Sequence, residues 1–298
     1  MKLRPLRHRS AGRAITSLPG AATRPAIARL ATTRPSAAAY VVVAATTSLG
    51  ALLPDDRLHA VTKHLVAPLA ALDVATRPGA WIPRRRRTTG TLLVALTGSA
   101  IGDHLMLAES RSEGAAARRH LRRGAAAFGV QQLGLLTVMR TRGQRFTPRT
   151  IAVGVTTLAA LAVVDHVAAR RDSVSSIVPD DSAPSAAHNP DAARVQPRAA
   201  EPRTPDAPSS ALPDPVVATY GALLVAMAML AQDDARTARG GAIFLTSDAL
   251  IVTRQLLPHS RLRRVADTAV MATYTTALAM LVDALAADDI TPARCHRG

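Results

Sequence analysis

Two aspartates stand inside runs that are otherwise apolar. Asp103 lies in Thr91 to Ala108, TLLVALTGSAIGDHLMLA, and Asp248 lies in Gly240 to Thr253, GGAIFLTSDALIVT; in both, small residues lead into the acid. On membrane-insertion scales an aspartate at mid-bilayer costs about 2.5 to 3.5 kcal/mol, so an acid kept there is expected to face the bundle interior and to mark a functional site. Two carboxyl groups in low-dielectric surroundings can be driven to different pKa values, one serving as acid and the other as an ionised stabiliser, which is the division of labour in glycosidases. Asp103 and Asp248 are therefore the candidate catalytic pair, expected to meet in one water-poor chamber.

Other residues could support them. Lys63 could keep one carboxylate ionised or bind a phosphate as a point charge. Ser247 and Tyr274 could donate hydrogen bonds to a substrate or to water. The bland alternative is that both acids pair with Lys63 and a tyrosine only to lock helices together. Asp103 with His104, and Asp165 with His166, suggest a metal; adjacent helical residues point about 100° apart, so neither is a ligand pair, and no metal or cofactor is expected. His104 then reads as a polar neighbour of the site. Gly98 and Gly102 form a Gly-x-x-x-Gly suited to close helix approach beside Asp103.

The elements that must position these residues are long apolar runs of about the length that crosses a bilayer core. Eight are expected: Ala37 to Leu53, Leu58 to Ala75, Thr91 to Ala108, about Leu121 to Met139, about Thr150 to Ala169, Val216 to Ala231, about Gly240 to Leu257, and Val265 to Ala286. The second is the weakest, because Lys63, His64, Pro68 and Asp73 interrupt it. A mean hydropathy of +0.12 hides this pattern, since polar residues concentrate in the N-terminal tail and in residues 170–215. Aromatic residues make up only 2% of the chain, which argues against a soluble aromatic core. The fold class expected is all-α, a polytopic transmembrane helix bundle of about eight helices. Its parts are a basic disordered cytoplasmic tail (1–36), a first membrane half of five spans (37–169), a disordered loop (170–215), a second half of three spans (216–287) and a short C-terminal tail (288–298).

A net charge of +16 could suggest nucleic acid. Its placement suggests a membrane surface instead, with no nucleic-acid partner. Lys2, Arg4, Arg7, Arg9, Arg13, Arg24, Arg29 and Arg34 precede the first apolar run with no acid among them, and Arg84 to Arg87 form a short anchor-like run. With the N-terminus cytoplasmic, that run and Arg140, Arg142, Arg145 and Arg149 fall inside; Arg118, Arg119, Arg122 and Arg123 run against the rule. The lone cysteine, Cys295, excludes an internal disulfide.

Four local patterns resemble the YhhN family of integral membrane proteins, which includes lysoplasmalogenases. Thr62-Lys63 sits where the family has a Lys-Pro pair, with His64 in place of the proline. Gly102-Asp103-His104-Leu105 matches its Gly-Asp followed by apolar residues. Gly124 to Phe128 is similar to the Gly-Ala-Phe opening of the next span, with Gln131 where many members have histidine. Gly241-Ala242-Ile243-Phe244 with Ser247-Asp248 matches its Gly-Ala, Phe, Ser-Asp pattern, and Tyr274 fits the tyrosine of the last span, although Ala277-Leu278 replaces the usual Ala-Gln. The resemblance implies a multi-pass cell-membrane hydrolase that cleaves the vinyl-ether bond of a lysophospholipid to a fatty aldehyde and a glycerophospho-base. Its partners would be that lysophospholipid substrate and membrane lipid. Asp103 and Asp248 would be catalytic, with Lys63, Ser247, Tyr274, His104 and Gln131 binding or supporting. The alternative is a membrane transporter or lipid-binding protein using the acids as an ion or proton relay.

Overall fold

The computed structural model describes residues 34–53, 57–175, 214–254, 257 and 260–287. Most of the expected basic tail, most of the long loop and the C-terminal tail lie outside them; of the basic tail, Arg34 is described and Pro35 and Ser36 already belong to the first helix. Eight helices are present and no strand among the described residues: α1 Pro35–Gly50, α2 Arg57–Thr76, α3 Pro83–Ser110, α4 Gly114–Thr141, α5 Pro148–Ser175, α6 Pro215–Ala231, α7 Ala235–Arg254 and α8 Ser260–Ala286. Each contains one of the eight apolar runs almost entirely. Several reach further than apolarity alone marks. Pro35, Pro83 and Pro215 open helices, where the fixed φ of proline suits the first turn and its missing N–H costs nothing. Arginine is a good helix former, so Arg84 to Arg87 continue from Pro83 as helix rather than forming a connection.

Consecutive helices pack together except α4 and α5; α4 packs on α6 instead, and α1 packs on α8, so α1, α2, α3, α4, α6, α7 and α8 close a ring. Helix α5 lies outside it, against α6 and α7, while α8 also touches α2 and α3. The seams are lined with small residues. A methyl group placed on Gly98 of α3 would stand 2.7 Å from the Ala127 carbonyl oxygen of α4, and one on Gly241 of α7 would stand 2.6 Å from Ala231 Cβ of α6. In the Gly-x-x-x-Gly of α3, Gly98 thus brings the α3 and α4 backbones together as the spacing predicts, while Gly102 faces a side chain of α4.

The interior is aliphatic: Val66, Leu92, Leu135, Met227, Phe244 and Leu281 belong to one buried cluster. The outside is aliphatic as well. Val42, Val61, Val94, Ile101, Leu133 and Val155 are all exposed, a surface suited to lipid and not to water. Two helices, Pro83–Ser110 and Arg261–Ala286, are long and apolar enough to cross a membrane, and Pro215–Ala231 is a shorter apolar helix. Helices α2 and α7 are more broken by charge: α2 carries Lys63, His64 and Asp73, and α7 carries Arg236, Arg239, Asp248 and Arg254.

The charged contacts define two ends of the bundle. At the end where α1 begins, Arg34 binds Asp73 at 2.5 Å and Asp283 at 3.0 Å, and Arg77 binds the same two acids at 2.7 and 3.0 Å. Arg142 donates to the carbonyls of Ala284 and Ala287 at 3.0 and 2.8 Å, and Arg85 donates to Ala286. Arg142, from the connection between α4 and α5, and Arg85, in the first turn of α3, thereby occupy carbonyls that the end of α8 leaves unpaired. At the opposite end, the His59 ring meets the Thr47 carbonyl, Arg122 pairs with Asp214, and Arg254 pairs with Asp267. The Arg122 guanidinium holds the Asp214 carboxyl below the usual carboxylate range.

Candidate active site

Asp103 is 2% exposed. Three helices position its partners. Lys63 of α2 places its Nζ 3.8 Å from Oδ1, and Tyr274 of α8 donates its hydroxyl to Oδ2 at 3.1 Å. Ser99, one helical turn before Asp103 and so on the same face of α3, lies 2.5 Å from the same tyrosine hydroxyl. The result is a continuous polar chain, lysine, carboxylate, phenol and serine, buried in aliphatic surroundings. Tyr274 is held in turn by its neighbours: Tyr40 of α1 donates to the carbonyl of Thr275 at 2.7 Å, and the Phe244 ring meets Tyr274 edge-on at 5.7 Å.

Asp248 has different company. It is partly buried on α7, and the Tyr220 hydroxyl of α6 donates to its Oδ2. Among the described residues no cation pairs with it. Ser247 is 1% exposed and donates to the Val270 carbonyl at 3.0 Å, tying α7 to α8. That serine hydroxyl is therefore engaged in helix packing, not turned toward the acids.

The two aspartates do not touch. They are linked through rings: Phe128 of α4 lies 6.1 Å from Tyr220 and 6.5 Å from Tyr274, so it stands between the tyrosine of each acid. A methyl group on Gly102, next to Asp103, would be 2.8 Å from the Phe128 ring, which explains the glycine there. The acids also share a depth. Asp103 lies seven residues before the end of α3, Asp248 six before the end of α7, and Lys63 six after the start of α2. At a rise of about 1.5 Å per residue, each is roughly 10 Å in from the end of the bundle opposite the arginine contacts.

The remaining residues singled out from the sequence divide. His104 is exposed and its ring lies 5.3 Å from that of His64. Gln131 is wholly buried, and neither atom of its amide has a hydrogen-bond partner; Gln132 is in the same state. Sequence reasoning did not select Ser99, Tyr220 or Gln132. A signal existed for two of them. Ser99 precedes Asp103 by one turn, and Tyr220 is one of only three tyrosines in a chain poor in aromatics. Among the described residues no group of three or more histidines, cysteines or acids could hold a metal ion.

A closed ring of helices, apolar inside and out, with a buried lysine–aspartate–tyrosine constellation, is the architecture of a helical membrane protein. The YhhN family model matches residues 58–178 and 204–285, and the chain belongs to the YhhN family. Every residue of the site lies within the matched ranges. Comparisons with curated proteins and with solved structures find no match.

Proposed function

We propose that this protein is a multi-pass membrane hydrolase of the lysoplasmalogenase type, with a lysophospholipid as substrate and the vinyl ether as the bond cleaved. The supporting observation is the asymmetry of the two acids. Both acids accept from a phenol, and Asp103 alone has a lysine beside it, so of the two it is the one whose charged form has a counter-ion. Asp248 has a phenol and, among the described residues, no paired cation, so it is the member suited to carry a proton.

The chemistry follows from that difference. Asp248 gives its proton to the β-carbon of the vinyl ether, and the double bond's electrons form the new C–H bond. The cation left behind is shared between the α-carbon and the ether oxygen. The Asp103 carboxylate stabilises that charge and takes a proton from the water that attacks the α-carbon. The hemiacetal then collapses: Asp248, now a carboxylate, takes the hemiacetal hydroxyl proton as the aldehyde C=O forms, and Asp103 returns its proton to the departing glycerol oxygen as the C–O bond breaks, so both acids regain their starting states with one water consumed. Tyr274 and Ser99 orient Asp103, and Lys63 keeps it ionised between turnovers.

All eight helices are proposed to cross or lie within the bilayer, with the N-terminus cytoplasmic. The arginine-rich end then faces the cytoplasm. Turnover of a vinyl-ether lysolipid by purified protein, read as aldehyde release, tests the reading against alkyl and acyl lysolipids. Asp103→Asn and Asp248→Asn, in protein that still folds, should each lower aldehyde release by about a hundredfold or more. Full turnover in both would overturn the mechanism. Proton movement in sealed vesicles without product would favour the relay reading.

A further inference from the structure

Beside Asp103, on the side of α2 and α3 that faces outward, four cationic or titratable basic groups gather. Lys63 and His64 come from α2, and His104 and Arg111 from α3 and its C-cap. His64 and His104 each follow a residue of the buried ion pair by one position. They therefore point about 100° away from it, and they meet each other with ring centroids 5.3 Å apart. Arg111 lies seven positions beyond His104, two helical turns nearer the end of the bundle, and is exposed. Lys63 and Arg111 add positive charge around the His64 ring, beside its His104 neighbour. Basic groups so placed repel one another, and the arrangement is relieved by an anion lying between them.

We propose that His64 and His104, with Arg111 above them, bind the phosphate of the lysolipid headgroup. The inference rests on the lysolipid reading of the same site and assigns its anion-binding part. Imidazole N–H groups and a guanidinium supply charge-assisted donors to phosphate oxygens. The placement suits the substrate. A lysophospholipid separates its phosphate from the sn-1 ether oxygen by the length of a glycerol backbone, and Asp103 and His104 are neighbours whose α-carbons stand about 3.8 Å apart. A phosphate held at the histidines leaves the ether oxygen beside the buried carboxylate. The histidine–arginine ladder also climbs toward the bundle end, the direction in which a headgroup reaches water.

The test measures binding, not turnover. Full-length protein in lipid nanodiscs is offered a radiolabelled 1-alkyl lysophospholipid, which has the phosphate but no vinyl double bond, and a 1-alkyl glycerol, which lacks the phosphate. The wild type should retain the phosphate-bearing lipid about tenfold more tightly, with inorganic phosphate competing. The His64→Gln/His104→Gln protein and, separately, Arg111→Gln should lose that advantage while holding the alkyl glycerol unchanged. Equal affinity of the wild type for both lipids would overturn the inference. So would equal losses on both lipids in the variants, or competition by inorganic phosphate with no effect of the lipid's own phosphate. Vinyl-ether turnover on the same preparations separates the two readings. Turnover without phosphate preference removes only the phosphate site, and phosphate preference without turnover removes only the hydrolase.

Discussion

Replacing Lys63 by methionine removes the charge and keeps the length of the side chain, leaving Asp103 buried without its cation. The expected cost can be worked from the geometry. At the 3.8 Å separation of Nζ and Oδ1 and an effective dielectric constant of about 20, the Coulomb attraction is roughly 4 kcal/mol. Side-chain exposures of 17% for Lys63 and 3% for Asp103 give less screening than a surface pair would have. Losing one partner of a buried pair costs about 3 to 5 kcal/mol, mostly from the stranded charge. Asp103→Asn strands only a lysine, which can bend toward the interface, and should cost less. The double variant should recover most of the loss, with a coupling energy of about 2 to 4 kcal/mol. Unfolding by a denaturing detergent, followed by helical circular dichroism for the wild type, both single variants and the double variant, measures it. A coupling below about 0.5 kcal/mol would refute the claim that Lys63 holds Asp103 as a carboxylate.

Two further outcomes follow from packing. Gly98→Leu should destabilise by at least about 1 to 3 kcal/mol, because its Cβ would press on the Ala127 carbonyl, which is backbone and cannot swing away. Gly90→Ala on the same helix, where nothing lies within 4 Å, should stabilise by about 0.5 to 1 kcal/mol; thermal unfolding of the pair checks both. Gln132→Met exchanges an unpaired buried amide for an apolar chain of similar volume and should stabilise by about 1 to 3 kcal/mol. A loss of stability would mean that the amide is bonded in the membrane-embedded protein.

The helices were largely legible because apolar run length and proline placement are local properties. The Leu58 to Ala75 run looked weakest for a reason that tertiary structure supplies: Lys63 pairs with Asp103, and Asp73 with Arg34 and Arg77. Both partners of Asp103 outside α3 are remote in sequence, and no periodicity shows them. Sequence led to the expectation that the two acids meet; instead they do not touch, and the Phe128 ring stands between their tyrosines. Phe128 reads as one more apolar residue until Gly102 is seen to make room for it. Arg142 likewise reads as a surface charge until it is found on the carbonyls at the end of α8.

Helix α8 is made after α1 to α7, yet it touches α1, α2, α3 and α7, and its Asp283 receives arginines from the start of α1 and the end of α2. Ribosomal synthesis therefore delivers this keystone after the helices whose ring it completes. Until it arrives, Tyr40 lacks the carbonyl it binds and Asp103 lacks its phenol. A nascent chain stopped short of Ser260 would hold its early helices as an open arc, a form that membrane quality control can recognise and remove.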